Sequence, residues 1–99
     1  MTISASQKRH LRSLAHHLKP VVSVGQHGLS ENVFAELEIA LDFHELVKVK
    51  ISGADREDKK TMIETISETC GAYLVQTIGH VAVFFRRNAK KPKVALPKE

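Results

Sequence analysis

The segment at residues 21–30, VVSVGQHGLS, constrains the fold of this chain more than any other stretch. Its three valines are typical of a buried β-strand, and Ser30 is a typical N-cap for a helix that follows. Between them, Gly25 and Gly28 enclose a four-residue glycine loop. A loop between a strand and a helix start can turn backbone N–H groups towards an anion, and a nucleic-acid backbone can approach glycine closely. A pair of glycines alone is equally typical of a simple turn, so its meaning depends on the surrounding sequence.

The hydrophobic periodicity predicts three helices and four strands. They follow the order helix, strand, helix, strand, helix, strand, strand, over residues 4–19, 21–24, 30–43, 46–51, 56–70, 72–78 and 81–86. Ser4 and Gln7 form a capping box for the first helix, and Pro20 ends it. Asp55 is a typical N-cap for the third helix, and Gly71 suits the left-handed position that follows its last turn.

The order of these elements predicts an α/β (α+β two-layer) fold. Helices two and three each connect two strands by a crossover, so we expect both on one face of a four-stranded mixed sheet. Strand two, LVKVKI, alternates apolar residues with two lysines and so has an apolar face. Strand four, VAVFFRR, is apolar nearly throughout, which predicts a central position, and Gly79-His80 provides its hairpin turn. The sequence does not place the first helix.

Basic charge lies at both ends of the chain, whose formal net charge is +4. Residues 1–29 carry four basic and no acidic residues, residues 30–45 carry five acidic and no basic ones, and residues 86–99 carry six basic ones against one acid. Segregation of this kind is typical of a surface that binds a polyanion, although a solvated basic tail is an equal alternative for the last residues. The residues predicted to supply this charge are Lys8, Arg9, Arg12, Lys19, Lys48, Lys50, Arg86 and Arg87.

The length of 99 residues suits one domain, which we place at residues 1–88, followed by a flexible basic tail at 89–99. No apolar run approaches the ~20 residues of a membrane span, so no membrane partner is expected. The single cysteine excludes an internal disulfide and favours a cytoplasmic location.

The sequence contains no pattern typical of an enzyme or of a cofactor site. No nucleophile is paired with a base, and the glycine loop lacks the Lys-Ser/Thr that follows a nucleotide-binding P-loop. His16 and His17 are adjacent, so on a helix they point about 100° apart and cannot easily share a metal ion. We therefore expect neither catalysis, nor a metal, nor a cofactor.

Taken together, four motifs resemble the bacterial stand-alone CRM domain, whose name abbreviates chloroplast RNA splicing and ribosome maturation. They are VVSVGQHGLSENVFAELEIAL, HELVKVKI, DREDKK and VQTIGHVAVFFRR, and the similarity covers roughly residues 4–87. The resemblance implies a fold similar to the C-terminal domain of translation initiation factor three. It also implies an RNA-binding module whose glycine loop is similar to that of KH domains.

The resemblance places the RNA-binding loop at Gly25, Gln26, His27 and Gly28, followed by Leu29. Relatives often carry a basic residue where this chain has Gln26, so a phosphate contact there is a hydrogen bond rather than an ion pair. Single-domain members are associated with precursors of the large ribosomal subunit, which implies ribosomal RNA as the partner. We expect a monomer that does not bind DNA.

A protein-binding adaptor is the main alternative. In that case the acidic face of helix two docks a basic ribosomal protein, and the basic tail only keeps the domain soluble. The residues of this face are Glu36, Glu38 and Asp42.

Overall fold

The computed structural model describes residues 3–25 and 28–97, and its elements follow the predicted order. The helices are α1 (Ala5–Ala15), α2 (Glu31–His44) and α3 (Arg56–Cys70), and the strands are β1 (Val22–Val24), β2 (Leu46–Ile51), β3 (Tyr73–Ile78) and β4 (Val81–Phe85). The predicted bounds of β2 and α3 are confirmed to the residue. None of the helices in the described ranges is both long and apolar enough to span a membrane.

The helix starts are fixed by the predicted capping residues. The side chains of Ser4, Ser30 and Asp55 each accept a hydrogen bond from the backbone N–H three residues later, at 3.1, 3.2 and 2.8 Å. Gln7 closes the capping box by accepting from the Ser4 N–H at 3.0 Å. Gly71 ends α3 with φ +62°, a left-handed conformation that glycine adopts without strain.

Helix α1 ends four residues before its predicted end. The N–H groups of His17 and Leu18 donate to carbonyls three residues back, at 3.3 and 3.0 Å, which is a tighter turn than an α-helix makes. Pro20 lacks an N–H and disfavours a helical backbone at the residue before it. The apolar spacing therefore continues to Leu18 although the α-helix does not.

The strands form one mixed sheet in the order β1-β2-β4-β3, with β1 parallel to β2 and the other neighbours antiparallel. The central position predicted for strand four is confirmed. Strand β3 contains a bulge between Leu74 and Gln76, and so has one residue more than its partner in this stretch.

Apolar side chains cover both faces of the sheet. On one face, α2 and α3 pack over Val47, Val49 and Phe84. On the other, which we call the α1 face, α1 packs over Leu46 and Phe85. Both faces of β4 are thus buried, which explains its nearly continuous apolar sequence. The structure supplies the position of α1, which the sequence leaves open.

Glu45 joins the carboxyl-terminal segment to the rest of the domain. It follows α2 with φ +63°, a conformation that residues other than glycine rarely adopt, and its side chain is fully buried. Its carboxylate accepts hydrogen bonds from the backbone N–H groups of Asn88, Lys93 and Val94 at 2.6, 2.5 and 2.7 Å. The Arg87 guanidinium lies 3.4 Å away. Part of the segment that its composition assigns to a flexible tail is therefore bonded to the domain.

Candidate nucleic-acid interface

Gly25 and Gly28, the two ends of the glycine loop, are hydrogen-bonded to each other between β1 and α2. The Gly28 N–H donates to the Gly25 carbonyl at 3.0 Å, and Gly28 has φ +69°, which favours glycine at this position. A Cβ on Gly25 would meet no atom within 4 Å, so the loop is open to solvent where it leaves β1. Leu29 packs against the core under α2 and α3, and so anchors the end of the loop. The predicted site residues Gln26 and His27 lie outside the described ranges.

Three segments meet at the end of the sheet that carries the glycine loop, and we call this end the loop edge. The Ser52 N–H donates to the Val24 carbonyl at 2.9 Å, and the Ile51 N–H donates to the His80 carbonyl at 2.7 Å. The loop edge therefore comprises Gly25 and Gly28, the β2–α3 connection and the β3–β4 turn. The amino-terminal ends of α2 and α3 lie here too, because each helix follows a parallel strand that ends at this edge.

The two predicted lysines of β2 lie on the α1 face. Lys48 is partly covered, and its Nζ donates to the Leu18 carbonyl at 3.0 Å, beyond the end of α1. Lys50 is exposed and pairs in register with the exposed Ser23 of β1. Lysines two residues apart on a strand are about 7 Å apart. They therefore form a basic line from the end of α1 towards the loop edge.

The other predicted basic residues of the amino-terminal part also lie on the α1 side of the sheet. Arg9 and Arg12 project from the exposed side of α1, Lys8 is partly covered, and Lys19 follows the helix close to Lys48. Helix α1 and β2 together carry five basic residues and no acidic ones, whereas α2 and α3 together carry eight acidic and three basic ones. The two faces of the sheet thus have opposite charge, which the sequence could not predict without a position for α1.

Arg86, which follows β4, bonds to α2 and to the end of α3. Its guanidinium contacts Glu38 at 2.7 Å and Asp42 at 2.8 Å, and donates to the Cys70 carbonyl at 2.9 Å. Burial disfavours its charge, but the two carboxylates outweigh this and raise the pKa of Arg86. Arg87 likewise has Glu45 and the Val94 carbonyl as partners. These contacts neutralise much of the positive charge that the two arginines could offer a ligand.

Three basic residues near the loop edge were missed by the sequence interpretation, namely Arg56, Lys59 and Lys60. They lie in the first turns of α3, and Lys59 Nζ donates to the Gly79 carbonyl at 2.5 Å. The order of the elements does predict their position, since a crossover helix that follows β2 must begin at the edge where β1 ends. Three acidic residues interleave with these cations, however, so this helix start has no excess of positive charge. They are Asp55, Glu57 and Asp58.

Within residues 3–25 and 28–97, no three His, Cys, Asp or Glu side chains are grouped so that they could hold a metal ion. Cys70 is buried, and burial together with the hydrogen bond and charge of Glu38 raises its pKa to about 11. A thiol with so high a pKa is a poor nucleophile near neutral pH. Its environment is that of a core residue.

Comparison with known proteins places the chain among similar sequences. The sequence model of the CRS1 / YhbY (CRM) domain family matches residues 3–86 of this chain. A Haemophilus influenzae protein named RNA-binding protein is 50% identical over 98 residues, which cover 99% of this chain and 98% of that relative. The Pseudomonas aeruginosa protein named probable RNA-binding protein PA4753 is 43% identical over 93 residues, with coverages of 94% and 89%. The solution structure of SAV1595 from Staphylococcus aureus has a TM-score of 0.82 and 36% identity, covering 97% of this chain and all of that one.

Proposed function

The chain belongs to the CRS1 / YhbY (CRM) domain family, as its motifs predict, and we propose that it is an RNA-binding protein. We further propose that it associates with ribosomal RNA in precursors of the large ribosomal subunit and assists their assembly in the cytoplasm. The names of its relatives support RNA as the ligand. The observation that carries the proposal is the opposite charge of the two sheet faces, with the exposed Gly25 at the end of the basic one.

In the proposed mode of binding, RNA phosphates run along the α1 face and reach the glycine loop. Lys48 and Lys50 neutralise phosphates on the way, and the positive end of the α2 dipole lies behind the loop. The cations of α1 add longer-range attraction. Contacts of this type position an RNA without reading its sequence. Unpaired RNA fits best, because its backbone can follow a narrow track and its bases are accessible.

A charge reversal on each sheet face tests which face binds RNA. We expect Lys50→Glu to weaken binding of a fluorescein-labelled single-stranded RNA about tenfold, because a phosphate contact becomes a repulsion. Lys60→Glu changes the net charge equally, but Lys60 lies on the opposite face of the sheet, on α3 beside Leu74 and Thr77 of β3, and β3 and β1 are the two outer strands on opposite sides of the sheet. It should have a much smaller effect. Equal losses in the two variants, measured by fluorescence anisotropy, would contradict the assignment to the α1 face.

The same titrations test the glycine loop and the charge dependence. Gly25→Val is the suitable loop variant because Gly25 has space for a side chain, whereas any substitution at Gly28 strains the backbone. We expect weaker RNA binding at unchanged thermal stability. Affinity should also fall with salt, with a logarithmic slope of about 0.7 per phosphate contact for single-stranded RNA.

Sedimentation of cell extract tests the ribosomal part of the proposal. We expect the protein to migrate with large-subunit precursors in a sucrose gradient at low salt, and to leave them at high salt and after nuclease treatment. The adaptor alternative predicts co-migration that survives nuclease, through the acidic face of α2. The acidic face of α2 has less negative charge available to bind a basic protein, since Glu38 and Asp42 already pair with Arg86.

A further inference from the structure

The α1 face carries a groove whose apolar lining takes no part in the phosphate contacts described above. The groove encloses about 620 Å³ between α1, the start of β1, β2 and the carboxyl-terminal segment. We call it the α1 groove. A volume of this size is typical of sites for small organic groups. Its apolar lining includes Leu14, Leu18, Val21 and Leu46.

We propose that the α1 groove receives an unpaired base of the bound RNA, which rests on the proposed function and extends it from phosphates to bases. The charge around the groove favours this occupant. Lys19, Lys48 and Lys93 line it, and no acidic side chain does so among the residues that the structure describes. Apolar walls surrounded by ammonium groups match a nucleotide, whose flat apolar base is attached to an anionic phosphate. His10 and His44 also line the groove and supply the kind of ring on which RNA bases stack.

The groove lies on the same path as the proposed phosphate contacts. Val21 lines it, and four residues later the chain reaches Gly25, so groove and glycine loop are about 13 Å apart at 3.3 Å per extended residue. A few nucleotides of extended single strand bridge that length. Lys48 borders the groove and Lys50 lies between it and the loop edge. One strand of RNA can therefore contact the loop and place a base in the groove.

The wall of the groove is held in place before RNA binds. Lys93 and Val94 line it, and both donate their backbone N–H groups to the buried Glu45 carboxylate at 2.5 and 2.7 Å. On the opposite side, the Lys48 ammonium is bonded to the Leu18 carbonyl. A site whose walls are already ordered loses less conformational entropy on binding than a mobile one.

Removal of the bases from the RNA tests this proposal. We expect the wild-type protein to bind a labelled uridine oligomer about tenfold more tightly than an abasic oligomer of equal length, because only the former has bases to bury. Leu18→Gln makes the groove polar without changing charge, and should reduce this preference while leaving the affinity for the abasic oligomer unchanged. Ile78→Gln is the matched control, because Ile78 is 62% exposed in β3, at the opposite edge of the sheet from β1, and does not line the groove. It should behave like the wild type.

The outcomes separate this inference from the proposed function. If the wild-type protein binds neither oligomer, both are wrong. If it binds both oligomers equally, or if Leu18→Gln retains the full preference, RNA binding stands and the base site is wrong. A second measurement does not depend on the variant folding. Crosslinking of the wild-type protein to RNA containing 4-thiouridine should label peptides that contain residues 14–21 or 93–95, and crosslinks confined to other regions would overturn the proposal.

Discussion

Replacement of Glu45 by glutamine is expected to lower the free energy of unfolding by about 3 kcal/mol at pH 7, because three backbone N–H donors lose their buried anionic acceptor. The backbone N–H groups of Asn88, Lys93 and Val94 all point at this carboxylate. A glutamine side chain keeps one acceptor oxygen but directs an NH2 group at donors. Urea unfolding followed by circular dichroism measures the difference. Glu36→Gln is the control, because it removes one negative charge from an exposed position and should change stability by less than about 0.5 kcal/mol.

The cost of the Glu45 substitution should depend on pH. Burial alone would raise the pKa of Glu45, but the hydrogen bonds from Asn88, Val94 and Lys93 and the charge of Arg87 outweigh it, so the pKa lies below its ordinary value of 4.5. A carboxyl group whose pKa is depressed in the folded state stabilises the fold above its unfolded pKa, and this contribution is lost as the pH falls through the folded pKa. The stability difference between wild type and Glu45→Gln should therefore be constant near neutrality and shrink below about pH 4.5. A difference that is the same at pH 7 and pH 3 would contradict a role for the carboxylate charge.

Phe84→Ala is expected to cost about 3–5 kcal/mol, the usual range for deleting a buried aromatic ring. Phe84 is fully buried in the central strand β4, on the face covered by α2 and α3. The gap left by its ring cannot close without moving both helices. Since domains of this size are stable by only about 5–15 kcal/mol, this loss is a large fraction of the total stability. The measurement is the urea midpoint, with the slope of the transition checked for constancy.

Two companion substitutions show whether burial causes the Phe84 effect. Phe84→Leu retains most of the apolar volume and should cost much less than the alanine variant. Ile78→Ala removes an apolar side chain that is 62% exposed in the neighbouring strand β3, and should change stability little. A loss at Ile78 as large as that at Phe84 would mean that strand position, rather than burial, sets the cost.

Local sequence patterns predict the helices and strands of this fold well, because each pattern lies within a short stretch of sequence. Strand β2 alternates Val47 and Val49 with Lys48 and Lys50, and only an extended backbone separates those side chains onto two faces. Helix α3 lies between a capping aspartate and a left-handed glycine, and its bounds follow from that chemistry. The apolar stripe of α1, by contrast, shows only that this helix packs against something. Its place on the sheet depends on which face α2 and α3 leave uncovered.

The candidate site was predicted where it depends on local pattern and missed where it depends on distant contacts. The β2 lysines lie on the face that their alternation predicts. Arg86 belongs by sequence to the basic carboxyl-terminal region, yet its partners Glu38 and Asp42 come from α2, more than 40 residues earlier. The role of Glu45 was missed for the same reason, because its hydrogen-bond donors come from the segment after β4. The roles of Gln26 and His27 stay predictions.

The contact between the two outer segments of the described chain affects how the domain can be built into larger proteins. The Gln7 side chain in the first turn of α1 donates to the Pro97 carbonyl at 3.0 Å, so the chain enters and leaves the fold at one place. Domains whose ends are close together tolerate insertion into a host loop and circular permutation. This domain can thus be inserted as a cassette through a pair of short linkers.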